Sequence, residues 1–337
     1  MYRAPRSRIA EINRPVDRSP IVFAAAGAIV LMTAFACAMH DDKKGDTVVA
    51  TTGQPTTTQP AVAGEVTDPG HAVPQNVSFE AAEWAYKARR YREAVELFDG
   101  YTQQHSKNAF GHYMLGLSAW KSGDLDRAIV SFERSLELDP RNVKTLLNLG
   151  RVLLDKGRPD DALVRVGAAI EIDSGLAESH RMMGRVQSAR GQRDSAVTSY
   201  RVALSLDPSD SWSMNNLGLL LIEQGRYPEA LPALARAVEL RPDAPAFANN
   251  LGVALERTGH FTAATEAYRA ALAVDSTYTK ASRSLARVEG KSDDSTTTVV
   301  DVSALAAEFN QELQVARQTR LMAKAAVKPD SVRPPER

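Results

Sequence analysis

Three asparagines, Asn148, Asn216 and Asn250, each stand directly before a Leu-Gly pair, and they are separated by multiples of thirty-four residues. A primary amide carries a donor and an acceptor on one side chain, so a series of them can pair with the backbone of a bound peptide whatever its sequence. Around the first of them lie four cations, Lys144, Arg151, Arg181 and Arg185, opposed by Asp155 and Glu178. The three guanidinium groups can hold carboxylates in paired hydrogen bonds, and the lysine adds a point charge. Upstream come Phe110, Tyr113, Leu117 and Trp120, large side chains of the kind that anchor a partner. No catalytic constellation accompanies them. The histidines, His40, His71, His105, His112, His180 and His260, form no pair at metal-ligand spacing, and neither G-x-S-x-G nor H-E-x-x-H occurs. These residue types bind; they do not react. No catalytic residue, no metal and no cofactor is expected.

The elements that must position them follow from self-comparison. Blocks of thirty-four residues beginning at Gln75, Ala109, Val143, Ala177, Ser211 and Pro245 align without a gap. The eighth place reads Ala82, Gly116, Gly150, Gly184, Gly218, Gly252, and the twentieth reads Ala94, Ala128, Ala162, Ala196, Ala230, Ala264. Small residues at both places let two helices cross closely. Gly123, Gly157, Gly191, Gly225 and Gly259 fall where a first helix would end in a left-handed cap. Pro159 and Pro228 suit the first turn of a second helix, and Pro232, one turn deeper, predicts loosening there. Asp-Pro at 139–140 and 207–208 closes a repeat. The period therefore predicts paired helices over residues 75–108, 109–142, 143–176, 177–210, 211–244 and 245–278, and a capping helix over 279–289.

The pattern of Leu-Gly, then Ala, then an apolar or aromatic residue, then Pro resembles the tetratricopeptide repeat across residues 75–278. The resemblance implies an all-α, right-handed solenoid of six helix-turn-helix repeats whose first helices line a concave groove for a peptide or partner protein. Carried onto this chain, the inner-face place just before Leu-Gly holds Glu80, Met114, Asn148, Met182, Asn216 and Asn250. The asparagines are similar to the amide ladder of O-linked N-acetylglucosamine transferases, interrupted here by Met182. The implied ligand has an apolar anchor near Phe110, Tyr113, Leu117 and Trp120, and an acidic or carboxylate group near Lys144, Arg151, Arg181 and Arg185. The carboxylate-clamp pattern of chaperone-binding relatives is not reproduced. The equally open alternative is that the asparagines bond neighbouring helices and the basic cluster is a solvated face.

The flanks carry a different message. Residues 1–20 hold Arg3, Arg6, Arg8, Arg14 and Arg18, and residues 21–39 form a charge-free run of nineteen, long enough for about 28 Å of helix. The basic excess before the run places the remainder of the chain across a membrane from it. Cys37, the single cysteine, follows Ala34-Phe35-Ala36 in a setting that resembles a bacterial lipobox, making it a candidate lipidation site. An uncleaved anchor, a lipoprotein and simple secretion all fit the run. Residues 40–74 are rich in Thr, Pro and Gly and read as a disordered tether. Residues 290–303 read as a linker, 304–327 as a helix with Leu305, Phe309, Leu313 and Ala316 on one side, and 328–337 as a tail. That helix could dock back into the groove or engage a partner. The balance of 41 Lys+Arg against 41 Asp+Glu gives no bulk field for nucleic acid. The expectation is a non-catalytic, membrane-tethered scaffold in a cell-envelope assembly, outside the cytoplasm. The alternative is an accessory subunit of an envelope enzyme or a carbohydrate-binding repeat.

Overall fold

A computed structural model describes residues 77–294 and 298–326. The basic leader, the apolar run with Cys37, the tether and the final tail lie outside the described residues. Those described form helices and loops only. In pairs they run α1 (Phe79–Lys87) and α2 (Tyr91–Gln104), α3 (Ala109–Ser122) and α4 (Leu125–Leu138), α5 (Val143–Asp155) and α6 (Pro159–Ile172). Then follow α7 (Ala177–Ala189) and α8 (Arg193–Leu206), α9 (Ser211–Glu223) and α10 (Tyr227–Leu240), and α11 (Pro245–Arg257) and α12 (Phe261–Val274). α13 (Thr279–Val288) and α14 (Val302–Ala326) complete the order.

The repeat chemistry explains the geometry. A methyl added at Gly116 would lie 2.7 Å from the ring of Phe132, and one at Gly184 would lie 2.7 Å from Tyr200. The eighth place is glycine because the large side chain sixteen residues on, in the second helix, fills the space a Cβ would need. Each first helix then stops in the same way. Gly157, at φ 75°, lets the Arg158 N–H donate to Leu153 O at 2.8 Å, and the corresponding bond recurs at Asp124, Gln192, Arg226 and His260. In the first repeat the left-handed position holds Arg89 at φ 60°, and Arg90 still donates to Ala85 O at 2.9 Å. Pro159 and Pro228 sit in the first turns of α6 and α10, as expected. Pro232 departs from expectation: α10 runs through it unbroken.

First helices of consecutive repeats approach one another from α1 through α11, whereas second helices of consecutive repeats nowhere come as close. The stack therefore curves with its first helices inside. α13 follows the last pair, with Arg287 holding Glu256 through two bonds of 2.7 Å. The C-terminal helix differs from the sequence reading in its seat. α14 lies against α10 and α8, burying Ala306, Phe309 and Leu313, and does not approach the first helices. Its place is the outer face, not the groove, because α10 offers an apolar strip there (Leu231 and Ala235, both buried).

Candidate functional site

The inner face is built by α3, α5, α7 and α9. Across it runs a continuous polar chain. Asn148 Nδ2 donates to Tyr113 Oη at 3.1 Å, and Arg151 donates to both Asn148 Oδ1 and Glu178 Oε1. Arg181 approaches Glu178 at 3.8 Å and donates to Asp210 Oδ1 at 2.7 Å. Asp210 is itself the N-cap of α9, accepting from the Ser213 N–H at 3.2 Å and from Ser213 Oγ at 2.6 Å. Burial lowers the Arg151 pKa from its ordinary value, Glu178 opposing the shift, and burial raises that of Tyr113. One polar seam thus joins the second repeat to the fifth.

Several residues singled out by sequence are spent on neighbouring repeats. Asn148 has its amide nitrogen on Tyr113 and its oxygen on Arg151. Asn250 donates to Asn215 Oδ1 of the preceding repeat at 2.9 Å. Trp120 Nε1 donates to Asp155 Oδ2 at 2.9 Å, drawing the second repeat onto the third. Phe110 remains 55% exposed and stacks on Phe79 and Tyr113, with centroids 5.6 Å and 5.8 Å away. Leu117 is half-buried beside them. Lys144 is exposed at the start of α5 and makes no ion pair with a described residue. His112 and His180 each place Nε2 against the carbonyl of the residue six before, Ser106 at 3.1 Å and Ser174 at 3.0 Å, so they brace loops.

What stays open is a hollow of about 450 Å³ where α5, α7 and α9 meet. Leu154 and Leu219 form its apolar walls, Asn216 offers a part-exposed amide, and Arg185, Asp155 and Glu223 also line it. Arg185 lies 3.6 Å from Met182 Sδ and makes no ion pair with a described residue. Of the residues expected to bind, Arg185 and Asn216 are therefore brought together here, while Phe110 stands two repeats away. Sequence reasoning missed Asp210, whose signal was an Asp before the Ser-Trp-Ser start of α9, and Glu223, which nothing in the spacing distinguished. Among the described residues no cluster of His, Cys, Asp and Glu could hold a metal, and no helix is long and apolar enough to cross a membrane.

Paired helices repeated at a constant period of thirty-four residues and curved around an open inner face define a solenoid of helical repeats. The profile of the tetratricopeptide repeat matches residues 113–177 and 215–279, and a second profile of the same repeat matches residues 168–243. The chain is a tetratricopeptide repeat protein. Among solved structures it is similar to the Cut9–Hcn1 hetero-tetramer of the APC/C, at 16% identity over 62% of this chain and 41% of that one, with a TM-score of 0.54. It is also similar to MamA, at 26% identity over 49% of this chain and 97% of that one, with a TM-score of 0.43. YrrB, described as a TPR protein with an unusual peptide-binding site, aligns at 21% identity over 56% of this chain and 97% of its own, with a TM-score of 0.43. Among curated proteins none matches the chain.

Proposed function

We propose that this chain is a non-catalytic scaffold that holds an extended peptide segment of a partner protein along its inner face, and that residues 21–39 tether it to a membrane, with the repeats outside the cytoplasm in an envelope assembly. The observation that carries the binding reading is the hollow between α5, α7 and α9. There Asn216 keeps a half-exposed amide while Asn148 and Asn250 are spent on neighbours, and Arg185 keeps a guanidinium without a carboxylate of its own. An amide beside a cation between two leucines suits a peptide backbone with an acidic side chain on Arg185, the Asp155 and Glu223 carboxylates of the same lining confining that side chain to the guanidinium. Exposed Phe110, stacked on half-buried Phe79 and Tyr113, supplies an apolar foothold farther along the same face. The tether rests on the charge-free run and the arginines before it.

The test is photo-cross-linking in cells with p-benzoylphenylalanine at Leu219, followed by membrane fractionation. A defined partner joined at Leu219, lost when Arg185→Glu is added, and a membrane-bound product that residues 40–337 alone do not give, would be the expected result. Equal cross-linking with and without Arg185→Glu would eliminate the hollow as the binding site. A product equally soluble with and without residues 1–39 would eliminate the tether.

A further inference from the structure

Between its neighbours, the fourth repeat is weakly held from inside. α5 buries five large apolar side chains and α9 buries four, whereas α7 between them buries two, Met182 and Val186. α7 also buries Ser179, whose Oγ has no hydrogen-bond partner among the described residues. In a solenoid each repeat touches only its neighbours, so an interval of this kind can turn unless something else holds it. The hollow lies at this interval, with Arg185, Ser188 and Ala189 of α7 on one side and Asn216, Leu219 and Glu223 of α9 on the other.

The outer side of the same interval is closed by α14. Past α13 the chain is pinned at Asp293, which accepts from the Thr262 N–H of α12 at 2.9 Å. Asp301 then caps α14 by accepting from the Ala304 N–H, also at 2.9 Å. From there α14 runs back over α10 to α8, where Arg201 reaches Glu312 at 3.4 Å, and it approaches no other described helix. Its task is not that of a cap, because α13 already covers the last pair. Phe309 and Leu313 enter one apolar core with Tyr200 of α8, Leu220 of α9 and Leu231 of α10. Tyr200 and Leu220 are also walls of the hollow. Among the described residues no other pair of second helices is joined from outside.

A turn of the fifth repeat on the fourth changes the spacing of α7 and α9 on the inner face and that of α8 and α10 on the outer. Fixing one spacing fixes the other. We propose that α14 is a strap that holds repeats four and five at the angle at which the hollow stands open, and that Phe309 and Leu313 are positioning residues for the peptide bound there. The second part rests on the peptide reading of the hollow; the first does not. With the strap lifted, the hollow takes several widths, and apparent affinity falls to the fraction of chains in the open arrangement. α14 lies wholly outside the inner face, so whatever removes it loosens the grip on the peptide without touching the peptide.

The experiment uses the full chain with Cys37→Ser and nitroxides on Ala189→Cys and Glu223→Cys, one from each side of the hollow. Phe309→Asp with Leu313→Asp lifts α14, and hydrogen exchange over residues 302–313 verifies the release. With the strap in place the labels should give one narrow distance, and with it released a broad distribution. Nitroxides on Lys121→Cys and Asp155→Cys, at the same repeat place on α3 and α5, should stay narrow in both. In unlabelled chains, binding to an array of random twelve-residue peptides that each carry one aspartate should weaken about tenfold, the loss expected when about a tenth of released chains keep the open arrangement. A synthetic peptide of residues 298–326 added to the released variant should restore both the distance and the binding. A narrow distance across the hollow after release would overturn the strap, and undiminished binding despite a broadened distance would overturn the positioning role. If the native chain binds none of these peptides, the peptide reading fails and takes the positioning role with it, and the distances alone decide the strap.

Discussion

Replacing Gly252 by alanine sets two expectations against each other. Helix propensity alone makes alanine better than glycine inside α11 by about 1 kcal/mol. Packing says otherwise. The new methyl would stand 2.5 Å from Tyr268 Cε1 and 2.7 Å from Cδ1, and Tyr268 is fully buried. The ring cannot step aside freely, because its hydroxyl donates to Glu256 at 2.8 Å and Glu256 is held by Arg287 of α13. Overpacking of this kind costs about 1–3 kcal/mol, so Gly252→Ala should be net destabilising by about 1 kcal/mol and should loosen α13. Ala82 shows that a methyl is accepted at this place in the first repeat, where the helix is the short end of the stack, nine residues long. Gly167→Ala is the control: its methyl meets nothing within 4 Å, and it should stabilise by up to about 1 kcal/mol. Urea unfolding of the full chain followed by circular dichroism gives the ordering of the two variants. Hydrogen exchange locates the change, since a solenoid opens locally. If Gly252→Ala were stabilised as much as Gly167→Ala, with exchange in α13 unchanged, the packing reason for glycine at the eighth place would be refuted.

Asp210→Ala removes the cap of α9 and strands Arg181, and should cost about 2 kcal/mol, with Asp210→Asn recovering the capping part; urea midpoints of the two variants check this. Arg89→Gly relieves a left-handed non-glycine residue worth about 1 kcal/mol, less the entropy of the added glycine, and should raise the thermal midpoint slightly. Hydrogen bonds from Arg287 hold the Glu256 carboxyl below its usual range. Their contribution is complete above the unfolded carboxylate range near about 4.3 and is lost as pH falls through the lowered folded value. Protection of the α13 amides, taken relative to the intrinsic exchange rate at each pH, should therefore fall on acidification, and Glu256→Gln should abolish that pH dependence.

The period of thirty-four made the fold legible because each repeat place has one physical role. Glycine eight faces a large side chain, glycine fifteen turns left-handed, and alanine twenty lets the helices cross closely. The site was less legible, because spacing shows which face a side chain occupies but not what it spends its hydrogen bonds on. Asn148 and Asn216 look alike in sequence, yet Tyr113 and Arg151 take up the first while the second stays open. Likewise Arg181 finds Asp210 twenty-nine residues away, a pairing that depends on the angle between repeats. The seat of α14 had a signal that spacing alone could have shown: Ala235 stands where most other repeats carry a charge.

Whether an extended peptide lies across α5, α7 and α9 can be decided by probing an array of random twelve-residue peptides with the purified full chain and its Arg185→Glu and Asn216→Ala variants. Peptides bearing an acidic residue should dominate the binders, with Arg185→Glu reversing that preference and Asn216→Ala weakening all of them alike. Binding with no charge preference and no response to either substitution would show that the peptide does not lie there.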